Sequence, residues 1–574
     1  SRSSSRRLLS RYRRKREMAD KALFELESFN YDARRRVGSA SAVAMPPAKR
    51  HRVEQKAAAE LLAEAERDLE ESNVEVEKSL DENAMKRMVL SVEKKINENM
   101  QMRMKYPDKP EKFMESELEL FQELKRLHLL ATAPELFRSF IKTRCITSLL
   151  GLLTHENSDI SIDVVDLFHE LADADEAQPE DSAALLECLI EHDAPMLLMA
   201  HMEKLDEGDE DDAAAVHATL SIFESMLEAK PDAAETLAQK ANVMKWLLAR
   251  LKPRVFHANK LYASELLAVL LQQNSPNQLF LGQVDGILSL LTAAAQYKRK
   301  EPQDAEEAEL VENTFDCMAS ALAPDANKLL FLKAEGIELM ILTIKERRFA
   351  SHGALKVLDA ALQCNGANCE RFVDIRGFKT LFPMVGTAPA PLPAFSKGSG
   401  ERRSAQRQHD EHCSSVLLTL FHQLTADRRL RLLGKFAEDE MGKLNRLLQL
   451  HQRLRVAVEE AELQVRPGDD DDDDIDERIY LARMEAGNYT LQLVGTCLCY
   501  IATARNKALR QRVFQALYDQ GSSLHEVWDN ADEYIKSFQD DKVDPLQKRH
   551  TGELATAVGA LLKTYKSKEE PGEA

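Results

Sequence analysis

The chain has 574 residues, of which 44% are apolar, only 6% aromatic and 30% charged, with a formal net charge of -19. Leu and Ala dominate the apolar set, a composition that favours an all-helical protein over a sheet protein, and no apolar run approaches the roughly 18 residues that span a membrane. Residues 1–56 hold 16 Lys and Arg against 6 Asp and Glu, about +10, which leaves about -29 on the remainder. An acidic body of this kind disfavours direct nucleic-acid binding.

Residues 1–56 read as a disordered basic arm. Its opening, SRSSSRRLLSRYRRKR, has no helical apolar face. An Arg- and Ser-rich, acid-poor start is also the composition of an organelle transit peptide. The second basic cluster after two prolines, Lys49, Arg50 and Arg52, suits a nuclear localisation signal better. Residues 57–129 read as an N-terminal helical segment and cap. Within it Asp81, Ala84, Met85, Met88 and Val89 open an amphipathic helix that runs to about Met102.

Repeated helical units follow over 130–435, about six of them. In SLLGLLTHENSDISIDVVDLFHELAD a short helix, a polar turn at 155–159 and a long helix succeed one another. Ile160, Val164, Leu167, Phe168 and Leu171 fall on one stripe of the long helix, and Asp163, Asp166 and Glu170 are expected on the other face. An acid returns within an apolar helical run at Asp166, Glu224, Glu265, Asp316 and Asp359, with gaps of 41 to 58 residues. That is near the period of armadillo and HEAT repeats, and stacking places equivalent positions in a row. The expectation is an acidic ladder on the second, longer helix of each unit, comprising these five acids and Asp163, with Lys260 and Lys356 weakening it locally. A basic peptide is its natural partner, although recurring acids on a solvent face also arise for solubility alone.

Two stretches interrupt the pattern. Residues 387–403, rich in Pro, Ala, Gly and Ser, read as a mobile loop. Residues 468–474 carry six consecutive aspartates, which repel one another and stay solvated. Residues 436–565 form a C-terminal helical cap around that acidic insert, and 566–574 a polar tail.

The sequence carries no phosphate loop, no nucleophile elbow and no HExxH. His409, His412 and Cys413 lie close in sequence, but a fourth ligand at suitable spacing is missing nearby, so no metal is expected. The eight cysteines are scattered without a CxxC pair and read as reduced, mostly buried thiols. The fold class read from these patterns is all-α, an armadillo/HEAT-like right-handed superhelical solenoid with helical caps at both ends. No enzyme activity and no cofactor are expected.

The string MKYPDKPEKFMESELEL at 104–120, with ANKLYASELLAVLLQ, FLKAEGIELM, RFVDIRGFKTLFP and RIYLARMEAGNYTLQ further on, resembles the beta-catenin-like family of nuclear armadillo-repeat proteins. The likeness covers roughly residues 79–540 and fails over residues 1–45, the Pro/Ala-rich stretch and the aspartate run. It implies a non-enzymatic nuclear adaptor of the spliceosome. Its partners would be splicing-complex proteins, bound through Lys/Arg-rich, nuclear-localisation-type segments, and an importin for its own nuclear entry. The lack of a long apolar run implies no membrane partner, and a homodimer is left open. The alternative is an importin-alpha-like transport receptor. That receptor's Trp/Asn ladder is lacking here, because the only tryptophans are Trp246 and Trp528.

Overall fold

The computed structural model describes residues 80–173, 178–393, 395, 398–465, 473–536 and 544–569. The chain divides into two units, 1–79 and 80–574, and all described residues lie in the second. The basic arm, Lys49, Arg50 and Arg52, and Asp469 to Asp472 of the aspartate run lie outside the described residues. Among the described residues the secondary structure is helical and contains no strand.

Two antiparallel helices come first, α1 (Glu82–Lys105) and α2 (Met114–Leu127). Asp81 caps α1 by accepting a hydrogen bond from the Ala84 amide, and Met85, Met88, Val89 and Val92 form its buried stripe. Six units follow. The first holds α3 (Phe137–Lys142), α4 (Cys145–Leu152) and α5 (Ser158–Ala172). The second holds α6 (Pro179–Glu191), α7 (Ala194–Met202) and α8 (Glu210–Ala229). In the third, short turns replace the first helix and α9 (Val243–Leu251) and α10 (Ala258–Leu271) follow. The fourth holds α11 (Ser275–Gln283), α12 (Gly286–Gln296) and α13 (Ala305–Ala321). The fifth holds α14 (Asp325–Lys333), α15 (Gly336–Glu346) and α16 (Ser351–Leu362). The sixth holds α17 (Gly366–Asp374), α18 (Phe378–Leu381) and α19 (Ser399–Gln423). Beyond them lie α20 (Ala426–Ala437), α21 (Gly442–Gln464), α22 (Asp473–Ala486), α23 (Asn488–Thr503), α24 (Lys507–Asp519), α25 (Leu524–Lys536) and α26 (Pro545–Glu569).

The repeating unit therefore has three helices, not two. The ladder acids sit on the third. The short first helix hides in sequence because a helix of nine residues shows little periodicity. The six third helices pack on one another in order, α5, α8, α10, α13, α16 and α19, and the row is extended by α2 before them and by α23 and α25 after them. That is the nearest-neighbour stacking of a solenoid.

Sharp corners make this stacking possible. The corner before each second helix holds a left-handed residue: Arg144, Asp193, Asn242, Asp285 and Glu335 immediately before it, and Arg376 two residues before α18. Glycine follows the last three, where a Cβ at Gly336 would lie 2.5 Å from the Phe331 ring and one at Gly377 2.3 Å from the Phe372 ring. Neighbouring units are also stitched by buried asparagines. The Asn327 amide donates to the carbonyls of Gln278 at 2.6 Å and Ala321 at 2.7 Å, tying α14 to α11 and to the end of α13. Asn277 does the same with Ala234 and Leu270, and Asn368 with Lys328 and Ala361.

The stretch 387–403 departs from the expected loop. Helix α19 already begins at Ser399. Before it, the Ala388 carbonyl accepts from Arg347 and the Ala390 carbonyl meets His352 Nε2 at 3.1 Å, so this backbone is tied down on the fifth unit. Seven of the eight cysteines are buried, Cys364 is exposed, and all are free thiols. Among the described residues no single helix is long and apolar enough to cross a membrane.

Candidate functional site: an acidic wall on the third helices

Caps fix the register of the third helices. Asn157, Asp209 and Asp304 accept backbone hydrogen bonds at the starts of α5, α8 and α13, and His257 does so for α10. Buried phenylalanines, Phe168, Phe223 and Phe315, then set which side of α5, α8 and α13 faces inward. With core and cap both satisfied, the remaining side of each helix is the shared third-helix face.

On that face the expected acids fare differently. Glu224, Glu265 and Asp316 are half-buried on α8, α10 and α13. Glu224 accepts from the Tyr262 hydroxyl, whose ring packs against His217 with centroids 4.9 Å apart. Glu265 has its carboxyl pushed up to about 8, by burial first and then by Glu309, Glu224 and Glu306. Asp316 pairs with Lys356 at 2.6 Å. Asp166, half-buried on α5, is also raised above the ordinary carboxylate range by burial, against the pull of Lys125.

Asp163 and Asp359 do not belong to an open ladder, which corrects the reading from spacing. Asp163 is only 2% exposed and pairs with Lys125 and His128, so it fastens the first unit to α2 and the turn after it. Asp359 is 5% exposed; it accepts from Ser415 Oγ at 2.7 Å and meets His412 Nδ1 at 2.9 Å. An acid on the flank of a helix is swallowed when the neighbouring helix carries a matching donor, which spacing within one helix cannot reveal. Lys260 is misplaced too. It is buried with its ammonium on the Pro253 carbonyl at 2.6 Å, and burial together with Lys300 lowers it to about 8.

Three acids that the spacing argument missed join the wall, all on α13: Glu306, Glu309 and Glu312. Crowding by surrounding protein raises Glu309, with Glu306 adding to it. The same crowding raises Glu312 to about 7, helped by Asp316 and Glu309 and opposed by Lys356. The signal was present in the sequence. Glu309, Glu312 and Asp316 stand at i, i+3 and i+7, one stripe of a helix. Like charges set this close are unfavourable unless something positive covers them.

No metal centre forms at His409, His412 and Cys413. His409 Nε2 points to the Met384 carbonyl at 3.1 Å while His412 turns to Asp359. Among the described residues no group of three or more potential ligands is gathered. Trp246 lies on α9 and Trp528 on α25, neither of them among the six third helices.

Three-helix units, left-handed corners and a continuous third-helix row define an armadillo-type repeat solenoid. The chain matches the family described as Catenin-beta-like, Arm-motif containing nuclear, over residues 60–531, and it belongs to that family. It is 39% identical over 474 residues to beta-catenin-like protein 1 of Homo sapiens and to that of Rattus norvegicus, covering 80% of this chain and 83% of each relative. The Schizosaccharomyces pombe homolog is 30% identical over 477 residues, 81% of either chain. The resemblance read at 104–120 is thus a family relationship over most of the chain.

Proposed function

We propose that this protein is a non-enzymatic nuclear adaptor of the pre-mRNA splicing machinery that holds Lys/Arg-rich segments of partner proteins on its third-helix wall. The observation that carries this reading is the run Glu224, Glu265, Glu309, Glu312 and Asp316 across three adjacent helices. Loss of water around them first, and then their mutual repulsion, raises Glu312 to about 7 and Glu265 to about 8. A cationic segment relieves that repulsion, whereas a neutral one does not. The family description supplies the nuclear setting, and the resemblance supplies the splicing context.

An extended segment advances about 3.3 Å per residue, and neighbouring helices lie about 10 Å apart. A basic residue at every third position therefore meets successive helices of the wall. Each exposed pair contributes about 0.2–1 kcal/mol, so several are needed, and affinity falls as salt rises. The test is titration of a Lys/Arg-rich splicing-factor peptide against the Glu265→Lys, Asp316→Lys double variant. Weakened binding by a variant with unchanged circular dichroism is expected. Unchanged affinity would reduce the wall to a solvated face.

A further inference from the structure

Basic residues gather where three successive second helices turn into their third helices. No Asp or Glu occurs from 236 to 264, in a chain that holds 96 of them. Within that stretch Lys252 and Arg254 follow the end of α9. Lys298, Arg299 and Lys300 follow the end of α12, and Lys345 closes α15 just ahead of Arg347 and Arg348. The three ends form a row, because α9 packs on α12 and α12 on α15. They are also bonded in series. Gln296 donates to the Lys252 carbonyl at 2.9 Å, Arg299 pairs with Glu346 at 2.8 Å, and the Phe349 amide donates to Glu301 at 3.2 Å. Arg299 and Lys300 are committed to Glu346 and Glu307. The side chains of Lys252, Arg254, Lys298 and Lys345 make no ion pair among the described residues. A helix C-terminus attracts cations over its last turn only, which does not account for Arg254 and Lys298 beyond the ends of their helices. Between α9 and α12 the row opens into a groove of about 390 Å³, lined by Leu291, Thr292 and Ala295 with Lys252, Arg254 and Gln296.

We propose that this row is a second docking surface, for an acidic segment of a partner protein that also carries aliphatic side chains. Carboxylates of the segment seat on Lys252 with Arg254, on Lys298 and on Lys345, and an aliphatic side chain enters the groove. The proposal goes beyond the third-helix wall and does not depend on it, since the helices are different and the charge is opposite. Charge complementarity sets the sign of the partner, and the rings beside the row set its class. Tyr297 and Phe349 are buried and Phe256 is half-buried. These rings therefore offer no open platform on which the bases of a single-stranded nucleic acid would stack. An extended segment with an acid at every third residue places its acids about 10 Å apart, which matches the spacing of neighbouring helices.

The probe is a fluorescein-labelled peptide of repeated Glu-Leu-Ser triplets, titrated against the full chain by anisotropy. It should bind, and affinity should fall as salt rises. The Lys252→Glu, Lys298→Glu, Lys345→Glu variant should lose about tenfold in affinity. Lys252→Gln, Lys345→Gln changes two exposed positions alone. It should keep the circular dichroism of the parent and lose about threefold. The wall variant Glu265→Lys, Asp316→Lys should bind the peptide no more weakly than the parent. Affinity that survives both lysine variants would assign the peptide to the basic arm and overturn the proposal, as would a parent that does not bind. A mixed-sequence single-stranded RNA that binds more tightly than the peptide and loses affinity in the same variants would give the row to nucleic acid instead.

Discussion

Folding takes water away from Glu265 and sets it among Glu309, Glu224 and Glu306, like charges that the unfolded chain keeps apart. Its folded carboxyl value, about 8, stands above the ordinary 4.5. The folded state then binds more protons than the unfolded state between those values, and stability is lost as pH rises through that window. Glu265→Gln should raise the denaturation midpoint at pH 8, by of order 1 kcal/mol, and change it little at pH 5. A stability gain paired with weaker peptide binding would mark a residue kept for binding. His128 works in the opposite direction. Burial disfavours its charged ring, but Asp163 and Glu170 outweigh burial and hold its value above that of an ordinary histidine. Its contribution is full below the ordinary value near 6.5 and disappears as pH rises through the raised one. The parent should lose that increment on passing upward from pH 6.5, and His128→Asn should show no such loss in urea melts compared across pH.

At the scale of elements, the units are held in register by single buried amides more than by surface charge. Asn327 is 1% exposed and satisfies one carbonyl of α11 and one at the end of α13. Asn327→Ala removes two buried hydrogen bonds, to the Gln278 and Ala321 carbonyls, each contributing about 0.5–1.5 kcal/mol. Loss of about 2 kcal/mol is expected in chemical denaturation. Because a solenoid repeat contacts only its neighbours, hydrogen exchange should quicken first in α11 to α14. The first helices were hard to see because each is short and flanked by apolar second helices. Their markers were nevertheless in the text of the chain. Asp285-Gly286, Glu335-Gly336 and Arg376-Gly377 each pair a left-handed residue with a glycine pressed on the preceding first helix.

Across the whole molecule, charge is divided between a basic arm of about +10 and an acidic remainder. On the proposed adaptor reading, the arm carries the nuclear localisation signal. Replacing Lys49, Arg50 and Arg52 by Ala should leave a fluorescent fusion of the full chain in the cytoplasm. Undiminished nuclear accumulation would reject that signal, and an organellar pattern in the parent would favour the transit-peptide reading of the arm. The C-terminal end of the row is closed by α26. His550 Nδ1 bonds the His422 carbonyl, Asp544 accepts from Gln423, and Leu554 and Val558 are buried. This cap lies 121 residues or more along the chain from the α19 residues it covers.

The sequence by itself determined that the chain is helical, that it repeats, and that acids return on one helix per repeat. These are local properties, written in the spacing of apolar residues along single helices, as at Ile160, Val164 and Leu167. Tertiary structure alone decided which acids stay available. Asp359 was lost to Ser415, 56 residues away, and Asp163 to Lys125, 38 residues before it, while Glu309 and Glu312 were gained from one stripe of α13. Tertiary structure also raised the carboxyls of Glu265 and Glu312 above the ordinary range. A carboxyl's affinity for its proton depends on charges brought close by packing and on water taken away by it, and neither is encoded in the position of a single residue.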